Sequence, residues 1–386
     1  MPIYLKHKLK TLCTKIGSGS TPRGGDSVYK THGISLIRSQ NILDFTFSKN
    51  GLAYIDEVQA KELANVTLKE RDVLLNITGD SVARVSQVPD NILPARVNQH
   101  VAIIRANQEK LNPEYLKYCL LSKPNKELLL SLASTGATRK AITKVMIEEF
   151  EIAIPSEEGT ATQTRIAAIL SALDDKIELN RRTNETLEKI AETLFKKYFV
   201  EGIEEENLPE GWRMGKLGEV MEIKYGKDHK HLNSGKIPVY GSGGIMRYVD
   251  KALFEHESIL IPRKGTLSNL FYVNTPFWSV DTMFYTKLKD SFYTKYLFLL
   301  LKSMDLSSMD VGSAVPSLTT ELLNKIVIII PSEGLLKHFD KTVTPLFELI
   351  DQNINESKAL VITRDSLLPK LMLGEIEVDE RIQIDN

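Results

Sequence analysis

The sequence predicts an α+β fold in which two globular modules alternate with two long helices, the second half of the chain repeating the first. Three observations predict it. Residues 160–199 carry a seven-residue apolar repeat with no Gly or Pro, and residues 339–372 carry a second such repeat. Residues 136–156, GATRKAITKVMIEEFEIAIPS, align without a gap on residues 312–332, GSAVPSLTTELLNKIVIIIPS, at an offset of 176.

In the first helix, Ile166, Leu170, Leu173, Ile177, Asn180, Asn184, Leu187, Ala191, Leu194 and Tyr198 fall on alternating steps of four and three. In the second, Phe339, Val343, Leu346, Ile350, Asn353, Ser357, Leu360, Arg364, Leu367 and Leu371 do the same. This spacing, held over about five heptads, is the pattern of a coiled-coil helix roughly 50–60 Å long. One long helix cannot bury a one-sided seam alone, and two in one chain can bury each other. The expected seam therefore holds Leu170, Leu173, Ile177, Asn180, Asn184 and Leu187 with Ile350, Asn353 and Leu360. Two amphipathic helices packed on separate cores are the other reading. The period of 3.5 rather than 3.6 and the polar seam residues speak against it.

With 386 residues the chain has room for two or three domains, and its apolar and charged fractions are those of an ordinary globular protein. Two cysteines, Cys13 and Cys119, make neither a disulfide framework nor a zinc knuckle and fit a reducing compartment. No apolar run reaches 18 residues, and MPIYLKHKLK lacks the apolar core of a signal peptide, so a cytoplasmic protein without a membrane span is expected. The overall net charge of −1 hides an alternation: residues 1–155 carry +6, 156–206 carry −5, 207–331 carry +3 and 332–386 carry −5. Basic modules joined by acidic helices suit a polyanion met by the modules alone.

Taken in order, the first module spans 1–155 and opens at Leu9. Ile34–Arg38, Val73–Ile77, Val101–Arg105 and Phe150–Ile154 read as strands, and Leu111-Asn112-Pro113-Glu114-Tyr115-Leu116 starts a helix. Pro155 ends the last strand, and Ser156 is a cap candidate for the central helical region, 156–200. The acidic run Glu201–Asn207 is a linker. The second module, 207–331, opens at Leu217 after Pro209-Glu210-Gly211-Trp212; its strands are Ile237–Tyr240, Ser258–Pro262, Thr282–Leu288 and Ile326–Ile330. The distal helical region is 332–376. Aligned by its end, at an offset of 173, the second helix is expected to be about one turn shorter than the first.

Catalytic motifs are missing. Gly17-Ser18-Gly19-Ser20-Thr21-Pro22 ends in Pro where a P-loop needs Lys and a hydroxyl, and no glycine fingerprint follows a strand and opens a helix. Asn274-Thr275-Pro276-Phe277 resembles the motif of adenine methyltransferases but lacks its first proline and any cofactor-binding unit. His229 and His231 have no further ligands nearby, so two solvated loop histidines are the simpler reading than a metal site.

The loops carry a different chemistry. Arg, Asn, Gln and His there suit base edges, and Lys and hydroxyls suit phosphates. In the first module the candidates for DNA contact are Ser20, Arg23, Arg38, Gln40, Asn41, Arg84, Gln99, His100, Arg139 and Lys140. In the second they are Lys227, His229, Lys230, Arg263, Lys264 and Asn269. Any one of them could be an ordinary polar turn residue. Their recurrence at strand ends on two basic modules favours contact with nucleic acid.

The chain resembles the specificity subunit of Type I restriction-modification systems over essentially its whole length. The resemblance rests on G-S-G-S-T-P at Gly17, on L-N-P-E-Y-L at Leu111, and on Pro155-Ser156 followed by Gln163, Ile166, Ala167, Leu170, Leu173, Asp174 and Ile177. It continues through Asn180, Asn184, Leu187 and Leu194-Phe195, and ends on Leu367-Leu368-Pro369-Lys370-Leu371-Met372-Leu373-Gly374-Glu375-Ile376. After Pro331-Ser332 the Gln and Ile-Ala of the pattern are absent. The resemblance implies two target-recognition domains, 1–155 and 207–331, each reading half of a bipartite, asymmetric double-stranded DNA target. It implies helices that pack antiparallel as a spacer, and two methyltransferase subunits and restriction subunits as partners. It also implies no catalysis and no cofactor on this chain, the partners using S-adenosylmethionine, ATP and Mg. The alternative is a scaffold whose modules bind protein and whose coil is a dimer zipper; it predicts intermolecular pairing and no DNA affinity.

Overall fold

A computed structural model describes residues 3–134, 140–156, 159–308 and 317–378. The chain divides into two compact units: Met1–Asn180 with Asn355–Asn386, and Arg181–Ile354. Each unit thus takes a module together with part of both long helices.

The first unit begins with β1 (Tyr4–Lys8), a short helix α1 (Leu9–Leu12) and β2 (Cys13–Ser18). Then come β3 (Ile34–Ile37), β4 (Ala53–Ile55), α2 (Glu57–Glu62), β5 (Val73–Asn76), β6 (Val85–Gln87), β7 (Ala95–Val97) and β8 (Val101–Ala106). Helices α3 (Pro113–Leu121), α4 (Lys123–Ser134) and α5 (Lys144–Glu149) lead to β9 (Glu151–Pro155) and the long α6 (Ala161–Phe199). The strands form a sheet of order β2-β8-β5-β6, another of order β4-β3-β7, and a β1–β9 pair. β5, VLLN, is buried along its whole length, as a central strand covered on both faces must be. Asn112 caps α3 by accepting from the Tyr115 N–H, with Pro113 at the first helical position where its missing donor is harmless.

The second unit repeats this plan. It contains β10 (Arg213–Lys216), β11 (Met221–Tyr225), β12 (Ser234–Gly241), β13 (Gly244–Val249), β14 (Ser258–Pro262), β15 (Phe271–Val273), β16 (Trp278–Ser279) and β17 (Met283–Leu288). Helices α7 (Thr294–Ser303) and α8 (Thr320–Lys325), strand β18 (Val327–Ile330) and the long α9 (Glu333–Met372) complete it. The sheets are ordered β11-β17-β14-β15 and β13-β12-β16, with a β10–β18 pair. Strand for strand this is the topology of the first unit, down to the parallel pairs β3–β7 and β12–β16. Individual bonds repeat as well. The Leu9 N–H donates to the Phe150 carbonyl and the Leu217 N–H to that of Ile326. The Tyr115 hydroxyl donates to the Ala153 carbonyl and the Tyr296 hydroxyl to that of Ile329.

α6 and α9 run antiparallel where they meet within each unit. In the first unit Asn180 donates to Glu356 and Ser357, at 2.8 and 3.3 Å, and Asp174 accepts from Arg364 at 2.7 Å. In the second, Asn353 donates to Asn184 at 2.8 Å, and the Phe199 and Phe339 rings stand edge to face at 4.8 Å. The seam polars thus pair with one another and satisfy their buried groups. Each helix also has a second buried face. Gln163 and Ala167 of α6 pack on the first module; Phe195 and Phe199 join Tyr296 of the second.

Two expectations need correction. α9 is not a turn shorter than α6: it has 40 residues and α6 has 39. The missing turn lies in the connection, since α9 starts two residues after Pro331 and α6 six residues after Pro155. For the same reason Ser156 caps nothing: its N–H donates to Ile3, and the first turn of α6 hangs on the Thr160 carbonyl.

Candidate nucleic-acid interface

In the first unit the connections leaving β2, β3, β5 and β7 meet at one end of the sheets. Gly19 and Ser20 donate their N–H groups to the Val101 and Val97 carbonyls, and Asn98 donates to Ile37. Gly19 must be glycine here: a Cβ would lie 2.2 Å from the Asn98 carbonyl oxygen, which is backbone and cannot give way. Asn76, wholly buried at the end of β5, donates from its amide to Ser39 O at 2.9 Å and Ser81 Oγ at 3.1 Å. His100 sits against Thr78 at 2.7 Å, and Gly79 donates to the Lys140 carbonyl. The result is one surface made of four connections.

Most first-module candidates lie on that surface. Arg23, Gln40, Arg84, Gln99 and Lys140 are exposed, and Ser20, Arg38 and His100 are half-buried. Arg38 donates to the Gly51 carbonyl at 2.6 Å with Gln40 beside it at 3.1 Å, and its guanidinium lies 5.3 Å from the Tyr29 ring. Asn41 is the exception and a correction. It is wholly buried; its oxygen accepts from the Arg38 N–H, and its amide donates to Ser48 and Asn50. All its polar capacity goes into holding the turn that presents Arg38 and Gln40, so it has nothing left for a base. Arg139 lies outside the described residues.

The second unit builds the corresponding end with other side chains. Gly226 and Lys227 donate to Met283 and Ser279, the counterparts of the Gly19 and Ser20 bonds. A Cβ on Gly226 would come within 2.1 Å of the Val280 oxygen. Arg263 and Lys264 follow β14; the Arg263 guanidinium stands 5.4 Å from the Tyr225 ring. Asn269, half-buried, donates one amide hydrogen bond to the Ser242 carbonyl at 2.9 Å and so braces a turn. Lys227, Lys230 and Lys264 are exposed, and His229 is half-buried. Sequence reasoning missed Tyr29 and Tyr225, whose rings support the two arginines. The signal at Tyr225 was its place at a strand end, directly before Gly226.

Among the described residues, several cations at this end stand without a carboxylate partner: Arg23, Arg84, Lys140, Lys227, Lys230 and Lys264 pair with none, whereas helix cations such as Lys176, Lys302 and Lys337 sit on Glu356, Glu188 and Glu333. Unpaired exposed cations beside amide and imidazole groups provide what phosphates and base edges require.

The features once weighed for catalysis find structural places. Phe277 of the Asn274–Phe277 motif is buried in the core, and Asn274 donates to Asp351 at 2.6 Å. Among the described residues no group of three or more His, Cys, Asp or Glu could hold a metal, and no helix is long and apolar enough to cross a membrane. A cavity of about 540 Å³, lined by Arg71, Glu114, Lys117, Thr164 and Asp175, lies where α3 meets α6 and includes none of the loop candidates.

Residues 6–189 and 209–356 each match the family model described as the Type I restriction modification DNA specificity domain. The chain belongs to that family. It is 27% identical to the Type I restriction enzyme MjaIX specificity subunit of Methanocaldococcus jannaschii, over 95% of this chain and 92% of that one. It is 25% identical to the Type I restriction enzyme HindI specificity subunit of Haemophilus influenzae, over 81% and 88%. The crystal structure of a Type I restriction-modification S subunit from M. genitalium covers 96% of both chains with a TM-score of 0.64 at 21% identity, which shows the shared fold. The chain is thus a specificity subunit and carries no catalytic centre of its own.

Proposed function

We propose that this chain reads a bipartite, asymmetric sequence in double-stranded DNA, each unit contacting one half through its loop surface. The observation that carries the reading is the recurrence, in two topologically identical units, of exposed cations at the same end of the sheets, beside Gln40, Gln99 and His100 in the first unit and His229 in the second. Lys and Arg neutralise phosphates and set register; Arg, Gln and His side chains choose bases. Two different loop sets in one chain make the target non-palindromic. The continuous helices α6 and α9 then make the unread spacer a consequence of helix length.

Two methyltransferase subunits and the restriction subunits are the partners in this reading, met through the acidic helical regions. S-adenosylmethionine, ATP and Mg belong to those partners, and this chain holds no cofactor. Its place is the cytoplasm. The test is co-expression with the neighbouring methyltransferase gene and genome-wide mapping of methylated adenine. A bipartite motif that vanishes without this chain supports the reading. A folded dimer indifferent to DNA, with no dependent motif, would replace it with the scaffold.

A further inference from the structure

The connections after β3 and β12 occupy the same place in the two units and carry opposite chemistry. In the first unit the connection presents a guanidinium and an amide, Arg38 and Gln40, fixed on the Gly51 carbonyl. In the second it is a tight hairpin, Gly241-Ser242-Gly243-Gly244, followed by two apolar residues that are not in the core. Ile245 is 42% and Met246 60% exposed.

The hairpin geometry puts them there. Val239 pairs with Arg247 and Tyr240 with Ile245, so Met246 is the extra residue of a β-bulge. A bulge re-aims the side chain it carries. The Met246 sulfur lies across Gly241, so close that a Cβ there would be 2.5 Å from it. The turn is braced by Asn269, whose amide donates to the Ser242 carbonyl, and so stands beside the connection that carries Arg263 and Lys264. Lys227 is tied to the neighbouring strand β16 through Ser279. These two apolar side chains therefore stand on a hairpin braced beside the connection that carries Arg263 and Lys264, with the exposed Tyr248 two residues further along the strand.

We propose that Ile245 and Met246 contact the 5-methyl groups of thymines in the half-site read by the second unit. Among the four bases thymine alone offers a methyl group in the major groove, with the O4 acceptor beside it. An apolar side chain flanked by lysine and arginine donors matches that pair of groups, as a guanidinium and an amide match guanine and adenine. The two units then differ in the kind of contact they make as well as in sequence. This inference rests on the reading that the second unit binds duplex DNA.

The test uses the full chain in complex with its methyltransferase partner and a duplex bearing the target defined by methylation mapping. Each half-site thymine is replaced in turn by deoxyuridine, which removes the methyl group and leaves every hydrogen-bonding atom. Loss of one methyl-sized apolar contact corresponds to about fourfold in Kd. The expected result is a loss of about that size at one or two thymines, all in one half-site. Met246→Ser and Ile245→Ser chains, altered at exposed positions, should bind with unchanged salt dependence and be indifferent to the same replacements. A sequence-specific complex insensitive to deoxyuridine everywhere, a half-site with no thymine, or variants that keep the full sensitivity would overturn the inference alone. A complex with no sequence preference would overturn the recognition reading together with it.

Discussion

Arg364 occupies a seam position of α9, where an apolar residue is the rule, and its replacement tests how the first unit is held together. Its side chain is only 8% exposed and donates to Asp174 at 2.7 Å and Asp365 at 2.8 Å. Its guanidinium also covers the Phe45 ring, 3.4 Å from the centroid. Burial works against the charge, yet the bonds to Asp174 and Asp365 hold the Arg364 pKa above its ordinary value. Breaking a buried pair from one side typically costs about 3–5 kcal/mol because the partner charge is left unpaired. Here Asp174 keeps the Tyr118 hydroxyl at 2.6 Å and Lys117 at 3.7 Å, which lowers the expected cost of Arg364→Met to roughly 2–4 kcal/mol. For a unit of this size that is a fall of about 4–16 °C in midpoint. The assay is a thermal scan followed by circular dichroism, with calorimetry to separate the units; Trp212 and Trp278 both lie in the second unit, so their fluorescence follows that unit alone. Arg364→Met with Asp174→Asn should recover part of the loss, since it removes the orphaned charge while the amide oxygen can still accept from Tyr118 and Lys117 keeps Glu114 and Asp175 near it. A single variant that loses less than about 1 kcal/mol, or a double variant worse than the single, would refute this account of the pair.

Four further outcomes are expected. Gly19→Ala and Gly226→Ala place a Cβ against backbone carbonyls, so each should cost about 1–3 kcal/mol and impair methylation through one half-site; unchanged midpoints and motif would contradict the packing. Hydrogen bonds from Lys10 and Lys8 hold the Glu149 carboxyl down at about 2, below its ordinary 4.5. A depressed carboxylate adds stability above pH 4.5 that is lost as pH falls toward 2, so wild type and Glu149→Gln should converge across that window, and a pH-independent gap would be the contrary result. Asn184→Leu with Asn353→Leu should raise the urea midpoint while loosening register, seen as faster amide exchange along both helices. Adding one heptad to each of α6 and α9 should lengthen the unread spacer and leave both half-site sequences intact in the methylation map.

Much of the architecture was legible because it is written in long or repeated patterns. The seam of α6 and α9 is a periodicity sustained over ten positions, and the 136–156 and 312–332 segments share the α5–β9 and α8–β18 units at an exact offset. Strands of three residues such as β4, β6 and β7 were not legible, because pairing partners far along the chain define them and their own composition does not. β1 escaped for the same reason: Tyr4–Lys8 pairs with Glu151–Pro155. At the candidate site, sequence named residue types suited to bases but could not tell a presented amide from a spent one. Asn41 and Gln99 look alike in sequence; only burial and hydrogen bonds assign Asn41 to holding a turn and leave Gln99 exposed.

The positions that hold each unit together and the positions that would choose its target scarcely overlap. Ladders such as β5–β8 and β14–β17, and the bonds of Tyr115 and Tyr296, sit inside; Gln99, Arg84, Lys227 and Lys264 are exposed, although their connections also send Val82, Ala83, Leu232 and Leu267 into the cores. A surface substitution away from special backbone geometry usually changes stability by less than about 0.5 kcal/mol. Such a chain can acquire a new address by drift at its loops without passing through an unstable ancestor. Because the plan exists in two copies, the proposed bipartite reading lets either half of the target change while the other is kept.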